Sequence, residues 1–453
     1  MDNINSIVEK INEKIGNKSF YYISNFIDHA QGYERWIKNF KGICLWNTPY
    51  SQYLRRKEIE VYCFNDQVVD QTDVKSSAQI LDSIIDNKLI NFQEGNFYQT
   101  FKISPRFSTL VEKLEGNLVN TSDDLNRLFE SKVSQAGIFD KYKVNFPKTI
   151  ITKLKDLNYP EAVKLFGDVF VVQFNRGHTG NGTIFVKEKE QYLELQRKFP
   201  QRILRISEFI DSPTYTINGC ATKYGIFLSG LCRQISGVLE LSPDFGGTVG
   251  NNYAHGLNSS QIISLMDEVK KLESALNDNN YKGLFGLDFM VQGNKIIILE
   301  INARQTMSVP FNSTLQEFKG QVPLILLHVA EFLDIEYELN IENYNMENTL
   351  PLEAAQVILR NKTGGEIVVE NEFKSGEYTV EGNNLILRNP GLYIDKIEKD
   401  NLVIISKVKG TKIPEGEEMA RIQIKKNLYL DFSTLDTRYV NLLLQIEKRL
   451  LKA

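Results

Sequence analysis

The sequence predicts a multidomain α/β and α+β protein, with an N-terminal α/β domain, a two-lobed α+β centre and a C-terminal β-rich domain. Three observations predict this fold class. Short apolar strands alternate with amphipathic helices over the first 120 residues, a glycine-rich turn joins two β-branched runs near Gly177, and short strands dominate from Leu350. Such changes of periodicity mark changes of architecture along a chain. We expect domains at 1–120, 121–205, 206–345 and 346–453.

The composition limits the classes of partner and the cellular compartment that are expected. The 453 residues are 42% hydrophobic and 24% charged, with a formal net charge of −4, an ordinary globular composition. This balance gives no support for nucleic acid or an anionic membrane as a partner. No apolar run approaches the roughly 20 residues of a membrane span, and the polar start lacks a signal-peptide core. The four cysteines have no CxxC spacing, so we expect buried free thiols in a reducing cytoplasm.

The N-terminal domain is predicted to contain a small parallel sheet. Gly42–Asn47 and Ile59–Asn65 have the β-branched and aromatic composition of strands, whereas Ser76–Asn87 has apolar residues at helical spacing. Strands that alternate with helices favour parallel pairing.

The central region is predicted to begin with a helix. Thr121 or Ser122 can cap its N-terminus, and the helix should run to about Ala136, with Gly137 as its stop. The short strands after residue 350 predict a separate β-rich domain. The other elements expected are helices at Ser259–Leu276, Val322–Leu333 and Leu435–Leu451, and a strand pair within Gly286–Asn302.

The stretch VVQFNRGHTGNGTIFVK, Val171–Lys187, resembles a phosphate-binding loop. Gly177 and Gly182 have the spacing of a Walker A loop and Thr183 follows, but the lysine that should precede the hydroxyl is missing. A strand-like run follows Thr183, where a Walker A loop must open a helix. The stretch therefore favours a glycine-rich flap between antiparallel strands, whose backbone N–H groups can close on an anion.

The segment GLFGLDFMVQGNKIIILEINARQTMS carries the strongest chemical signal. If Gly293–Lys295 form a three-residue hairpin loop, Asp288 lies directly opposite Glu300, and Asn302 points to the same face. The neighbours of these oxygen donors are Ile, Leu and Phe, among which an unpaired carboxylate is costly. Mg²⁺ held by carboxylate and amide oxygens, with substrate phosphates completing its shell, meets this need.

Arg304 follows on the same face and can hold a phosphate or carboxylate oxygen. A plainer alternative is that Asp288 and Glu300 end their strands in solvent, with Arg304 as a surface ion-pair partner. A two-residue turn would also place the two carboxylates on opposite faces. The residue pattern leaves these alternatives open.

The central part of the chain resembles a known family. The order of a lysine-bearing helix, a glycine-rich loop between strands, RISEFI and GLDF…ILEINAR resembles the ATP-grasp superfamily, in which two α+β lobes hold ATP between them. The resemblance covers roughly Asn120 to Asp334. The preceding segment resembles the α/β domain that precedes ATP-grasp modules, and VPLILLHVAEFL resembles the helix that usually follows.

The resemblance implies a role for each matching residue. Asp288, Glu300 and Asn302 would bind Mg²⁺, or Mn²⁺ in its place, Arg304 would steady the transferred or acyl phosphate, and Lys132 would reach the ATP phosphates. The other ATP-binding residues implied are Gln173, Arg176, His178, Thr179, Gly180, Gly182 and Thr183 around the flap, and Glu208, Phe209 and Ile210 at the hinge that contacts adenine.

Several of these residues have plainer alternatives. Arg233 resembles positions that line the acceptor site, but a surface arginine fits the sequence equally well. His178 is equally compatible with a solvated loop, and the second glycine-rich loop, Pro243–Asn252, with a plain connection instead of a pocket wall. His255 and His328 are expected to be structural.

One departure from the family concerns charge. Many ATP-grasp proteins carry a second lysine on the strand before the flap, where this chain has Gln173. Glutamine can hydrogen-bond to adenine or phosphate but supplies no charge. We expect Lys132 and Arg176 to supply the positive charge; otherwise the nucleotide is held less tightly.

The resemblance implies an ATP-dependent carboxylate–amine ligase of the amino-acid or peptide type. Such an enzyme forms an amide through an acyl phosphate and releases ADP and phosphate. The expected partners are a small-molecule carboxylate and amine, and a homodimer is one assembly to test. Two alternatives are open: a biotin carboxylase-type enzyme that activates bicarbonate, and a nucleotide-binding scaffold without turnover. The shorter glycine run in the flap argues against the former, and the full metal-ligand set against the latter.

Overall fold

The computed structural model describes residues 2–66, 76–175, 182–242, 247–371, 373–382, 384–394, 400–431 and 434–451. The N-terminal domain contains α1 (Asp2–Ile15), β1 (Phe20–Ser24), β2 (Phe40–Cys44), α2 (Pro49–Arg56), β3 (Val61–Cys63), α3 (Ser77–Asp86), β4 (Phe97–Thr100), α4 (Pro105–Lys113) and β5 (Asn117–Leu118). The strands pair in parallel in the order β3-β2-β1-β4-β5. The predicted parallel sheet is confirmed.

The first lobe of the central region contains α5 (Asp123–Glu130), α6 (Lys132–Lys141), β6 (Thr149–Lys153), α7 (Tyr159–Phe166), β7 (Phe170–Gln173), β8 (Thr183–Val186), α8 (Lys189–Lys198) and β9 (Ile203–Glu208). Its strands form an antiparallel sheet in the order β6-β9-β7-β8. One face of this sheet packs against α7 and α8 through a buried apolar core that includes Phe170, Val172, Tyr192, Leu204 and Ile206.

The single helix predicted from Ser122 to Ala136 is wrong. Ser122 does cap α5, because its side chain accepts a hydrogen bond from the Leu125 N–H. The helix then breaks at Ser131, whose backbone is extended (φ −72°, ψ 118°) and whose hydroxyl accepts from the Ser134 N–H. Because Ser131 caps a new helix, α6 runs through Gly137, and Lys132 lies in the first turn of α6.

The second lobe contains β10 (Thr214–Thr222), β11 (Gly225–Leu228), β12 (Cys232–Ser236), β13 (Thr248–Asn252), α9 (Ser259–Asp278), β14 (Gly283–Gln292), β15 (Lys295–Asn302), α10 (Val309–Phe318), α11 (Leu324–Phe332) and α12 (Ile341–Asn348). The C-terminal region adds β16 (Ala355–Arg360), β17 (Ile367–Val368), β18 (Gly376–Glu381), β19 (Asn384–Asn389), β20 (Leu402–Ser406), β21 (Lys412–Ile413), β22 (Glu418–Ile424) and α13 (Thr437–Leu450).

One large sheet joins the second lobe to the C-terminal region. Its order is β15-β14-β10-β12-β13-β16-β22-β20-β18-β19, and β11 pairs with β10. The C-terminal region is rich in β-strands as predicted, and β17 pairs with β21 in a small sheet of two strands. Its other strands continue the sheet of the second lobe, because β13 pairs with β16. At this junction Gly250 pairs with Val357, and a Cβ at Gly250 would lie 2.2 Å from the Gln356 carbonyl oxygen. The predicted domain boundaries remain predictions.

The three parts of the chain share a buried core. Tyr22 and Tyr33 of the N-terminal domain belong to the same apolar cluster as Leu327 of α11 and Tyr393 of the C-terminal region. Glu34 strengthens this contact by accepting from the hydroxyl of Tyr393. The cysteines are buried and free, as expected. None of the helices in the described ranges has the length and apolar content needed to cross a membrane.

Candidate metal and nucleotide site

The β14–β15 hairpin brings the predicted metal ligands together by an unexpected route. The three-residue loop was a wrong prediction, because Gln292 pairs with Lys295 across a two-residue turn. A β-bulge then inserts Leu299 between the paired residues Ile298 and Glu300, so that Asp288 still lies opposite Glu300. The alternative with the carboxylates on opposite faces is therefore wrong as well.

Asp288 is held by side chains from three neighbouring strands. It accepts hydrogen bonds from the Thr216 hydroxyl at 2.6 Å, the Gln234 amide at 3.1 Å and the Asn302 amide at 3.2 Å. We call the sheet face that carries Asp288, Thr216 and Gln234 the site face. Burial, and next the charge of Glu300, raise the pKa of Asp288 to about 7. A cation bound to the oxygens of Asp288 would stabilise its charged form.

Lys132 of the first lobe reaches the second carboxylate. Its ammonium group donates to Glu300 Oε2 in a partly buried ion pair. Burial by itself would raise the pKa of Glu300, but the charge and hydrogen bond of Lys132 lower it below its usual value. The break at Ser131 makes this contact possible, because it places Lys132 at the helix start that faces β15.

Arg304 lies beside Asn302, as its position two residues further along predicted. Its Nη2 donates to Asn302 Oδ1 at 3.3 Å, and its Nε lies 2.8 Å from Glu130 Oε1. The guanidinium carbon lies 5.4 Å from the centre of the Phe101 ring, which belongs to the N-terminal domain. Arg304 thus joins the predicted metal ligands to a wall made by the N-terminal domain.

Helices α5 and α6 fix the end of β15 against the first lobe. The Gln135 amide donates to the Ile301 carbonyl at 3.0 Å, and the Asn126 amide donates to the Ala303 carbonyl at 2.9 Å. These bonds satisfy two backbone carbonyls, one on either side of Asn302. The position of Glu300 and Asn302 therefore depends on side chains of both lobes.

A cavity of about 380 Å³ opens beside these residues. The N-terminal domain lines one side with Lys102 and the start of α4, where Ser104 caps the helix. The charged residues that line it are Lys102, Asp123, Arg127, Glu130, Lys132, Glu300 and Arg304. The mixture of both signs, and a volume typical of small-ligand pockets, suit a polar small molecule.

The flap strands are antiparallel, which confirms the topology predicted for Val171–Lys187. Gln173 pairs with Thr183, and its amide donates to the Thr183 hydroxyl at 3.2 Å. Gly182 adopts φ +97°, a conformation that favours glycine, while its carbonyl accepts from the Phe174 N–H at 2.8 Å. The flap residues Arg176, His178, Thr179 and Gly180 lie outside the described residues.

The predicted hinge connects β9 to β10. Glu208 lies at the end of β9, where its carboxylate accepts from the Lys148 N–H at 2.7 Å. Phe209 makes an edge contact with Phe185 of the flap strand at 5.9 Å between ring centres, and Ile210 is buried. The hinge thus contacts the flap strand directly, and its contact with adenine stays a prediction.

Arg233, which resembles acceptor-site positions in the sequence, lies apart from the Asp288 group. It pairs with Tyr215, and it stacks over the Tyr429 ring at 4.1 Å. Side chains alternate along a strand, so Arg233 lies on the face opposite to Gln234, away from Asp288. Its place at the acceptor site stays a prediction. Thr248, in the second glycine-rich loop, donates to Gln234 at 2.7 Å and so does adjoin the site, whereas 243–246 lie outside the described residues.

The two histidines expected to be structural are both buried. His255 lies 3.0 Å from the Thr349 carbonyl, and His328 lies 3.1 Å from the Val119 carbonyl. Burial lowers the pKa of each to about 4.

Sequence reasoning missed Thr216, Gln234, Glu130 and Arg205. The first three give no local signal, because only the strand register and the helix break bring them to the site. Arg205 does give one: it is a charged residue inside the apolar strand ILRISEF, and it is 1% exposed. A buried arginine in a strand requires a partner or a ligand.

The donor set suits a hard divalent cation. Two carboxylates and one amide converge, and Mg²⁺ prefers such oxygens together with water and phosphate. Across the described ranges, no cluster of three or more His, Cys, Asp and Glu side chains is arranged to hold a metal alone. The Asp288 group would therefore depend on its amide and on phosphate oxygens to complete the coordination shell.

Comparison with known proteins defines the class. Residues 129–308 match the family described as the ATP-grasp domain. The chain therefore contains an ATP-grasp domain, with an α/β domain before it and a β-rich region after it. No curated protein matches the sequence significantly.

Solved structures with the same overall fold include three kinds of ATP-grasp protein. The biotin carboxylase domain of 2-oxoglutarate carboxylase from Hydrogenobacter thermophilus, with MgADP, ADP and bicarbonate, has a TM-score of 0.62 at 13% identity over 90% of this chain and 86% of that chain. N5-carboxyaminoimidazole synthetase from Staphylococcus aureus, with ADP, has a TM-score of 0.57 at 12% identity, covering 95% and 97%. L-amino acid ligase from Bacillus licheniformis has a TM-score of 0.58 at 12% identity, covering 95% and 97%. At these identities the likeness establishes the fold, including both flanking regions.

Proposed function

We propose that this protein is an ATP-dependent carboxylate–amine ligase that uses Mg²⁺. The observation that carries the proposal is the convergence of Asp288, Glu300 and Asn302 on one face, with Lys132 donating to Glu300 from the other lobe. Binding of a Mg²⁺–nucleotide between the two lobes of an ATP-grasp domain requires oxygen donors for the metal and a cation for the phosphates.

Each residue has a physical role in this proposal. Asp288, Glu300 and Asn302 would hold Mg²⁺, which neutralises charge on the phosphoryl group as it moves. Lys132 donates to Glu300 and also lines the cavity, so its ammonium would be able to donate to a phosphate oxygen. Arg304, oriented by Glu130 and Asn302, presents its guanidinium where negative charge would develop on an acyl phosphate. Such catalysis rests on positioning and electrostatics, and it needs no protein nucleophile.

The cavity beside the metal ligands is the proposed acceptor site. Its wall includes Lys102 and Arg127 as well as Asp123 and Glu130, so both signs of charge are available within one pocket. A carboxylate substrate and an amine substrate need opposite partners, and a pocket with both signs can orient them toward Arg304. The similarity in fold to an L-amino acid ligase supports this substrate class. The similarity to a biotin carboxylase domain in complex with bicarbonate makes bicarbonate the competing acceptor.

The test is ADP release in the presence of ATP, Mg²⁺ and a panel of carboxylates and amines, with products followed by mass spectrometry. We expect turnover only when both a carboxylate and an amine are present. Glu300→Gln should abolish it, whereas Glu194→Gln, an exposed glutamate on α8, should retain it. ADP release with bicarbonate and no amine would instead favour a carboxylase-type reaction. Nucleotide binding without turnover on any acceptor would favour a scaffold.

A further inference from the structure

Arg205 is a buried cation that has no role in the proposed Mg²⁺ and acceptor sites. It lies in the middle of β9, with its side chain 1% exposed. Its neighbours Leu204 and Ile206 belong to the core between the first-lobe sheet and its helices. Alternation along the strand therefore turns Arg205 to the opposite face of the sheet, toward the second lobe.

The contact that Arg205 makes lies at the bulge of β15. Its Nη1 donates to the Leu299 carbonyl at 2.8 Å, and Leu299 is the extra residue that restores the Asp288–Glu300 pairing. Burial lowers the pKa of Arg205 to about 10, while the nearby charge of Glu300 acts in the opposite direction. Arg205 thus reaches across the lobes to the backbone next to a metal ligand.

Part of the guanidinium is not satisfied by this contact. Its Nε is buried and has no hydrogen-bond partner among the described residues, which do not include 176–181 of the flap. A buried donor without a partner costs free energy, and the cost is larger for a charged group. Glu300 already receives the ammonium of Lys132. Glu300 thus has a closer cation than Arg205, and the Nε of Arg205 remains a donor that a ligand could use.

The position of Arg205 in the sheet indicates what its charge faces. Arg205 pairs directly with Gln173 of β7, the last strand residue before the flap. Gln173 is neutral, and its amide donates to Thr183 across the flap strands. At the base of the flap, the positively charged side chain is thus Arg205 on β9, and the paired position on β7, Gln173, is neutral.

We propose that Arg205 supplies the first-lobe positive charge for the phosphates of a bound Mg²⁺–nucleotide, anchored in place by the Leu299 carbonyl. The proposal rests on nucleotide binding in the proposed function. It does not require that the acceptor be known.

The test is calorimetric binding of Mg·ADP to the full chain. Arg205→Met should weaken binding at least tenfold, as expected when a charged hydrogen-bond donor is lost. Moving the charge to the opposite strand, in the double variant Arg205→Met with Gln173→Lys, should recover most of the affinity. Arg202→Met is the matched control: Arg202 is exposed just before the same strand, so binding should stay within twofold.

Two results would overturn the proposal. One is Arg205→Met binding Mg·ADP within twofold of the wild type. The other is a double variant as weak as Arg205→Met, because the residue would then act only through its bond to Leu299. Urea midpoints of all variants establish that they are folded. If Arg205→Met does not fold, the double variant is compared with Arg205→Lys, which also keeps a positive charge. Affinities for Mg·ADP that agree within threefold support the proposal, and a double variant that binds more weakly overturns it.

The outcome is separable from that of the proposed function. A wild type that binds Mg·ADP but turns over no acceptor contradicts the ligase and leaves the Arg205 measurements valid. A wild type that turns over acceptors while Arg205→Met binds normally contradicts only the role of Arg205.

Discussion

The ion pair between Lys132 and Glu300 allows the sharpest test of how the two lobes are coupled. Replacing Lys132 by Met leaves a partly buried carboxylate without its closest cation, and replacing Glu300 by Gln leaves a buried ammonium. Each single change removes the attraction and leaves one charge without its partner. In the double variant neither charge remains, so its loss of stability should be smaller than the sum of the two single losses.

The exposure of the two side chains sets the magnitude. Exposed pairs contribute about 0–1 kcal/mol, whereas breaking a fully buried pair costs about 3–5 kcal/mol. Lys132 is 10% exposed and Glu300 28% exposed, so the pair lies between these limits. Because Arg205 and Arg304 also act on Glu300, part of its charge stays compensated. We expect a coupling free energy of about 2 kcal/mol.

The assay is urea unfolding of the wild type, both single variants and the double variant, without nucleotide. The pair Lys198–Glu194 on α8 is the matched control, since it is an exposed i,i+4 pair of the same charges in the same lobe, with 60% and 56% exposure. Its cycle should give about 0.5 kcal/mol or less. A Lys132–Glu300 coupling no larger than that of the control would refute the inference that the lobes are joined electrostatically at this site.

The remaining predictions use the same measurements of unfolding. In Lys132→Met, Mg²⁺ should raise the urea midpoint more than in the wild type, and an equal rise would contradict a metal site at Glu300. Although burial opposes it, Arg421 together with Lys407 lowers the pKa of Glu418 to about 2, so Glu418→Gln should cost about 2–3 kcal/mol at pH 7, a difference that shrinks as pH falls below 4.5. Because the folded-state pKa of His328 is lowered to about 4, the wild type should lose stability as pH falls from 6.5 to 4, and His328→Gln should show a shallower loss. Gly250→Ala should destabilise by about 1–3 kcal/mol through its clash with the Gln356 carbonyl, whereas Gly137→Ala, in the open middle of α6, should be neutral or stabilising.

Much of the fold could be predicted because its signals are local. The parallel sheet follows from alternating strands and helices, and the flap topology follows from the strand-like run after Thr183. The helix break at Ser131 was missed because the hydrophobic pattern continues across it, while a single hydroxyl decides the cap. The face on which Arg233 lies could not be predicted, because it depends on the pairing with Tyr215, a partner distant in sequence.

The β15 strand shows why a wrong turn length still led to the right pair of carboxylates. Ile296 and Ile298 face the core, and so do Ile301 and Ala303, although these two pairs differ in parity along the strand. A regular strand cannot satisfy both pairs, so one extra residue must lie between Ile298 and Ile301. That residue shifts Glu300 to the face of Asp288, just as a longer loop would have done. The four consecutive apolar residues Ile296–Leu299 hide this change of parity, and the demand for a buried core on both sides of the bulge enforces it.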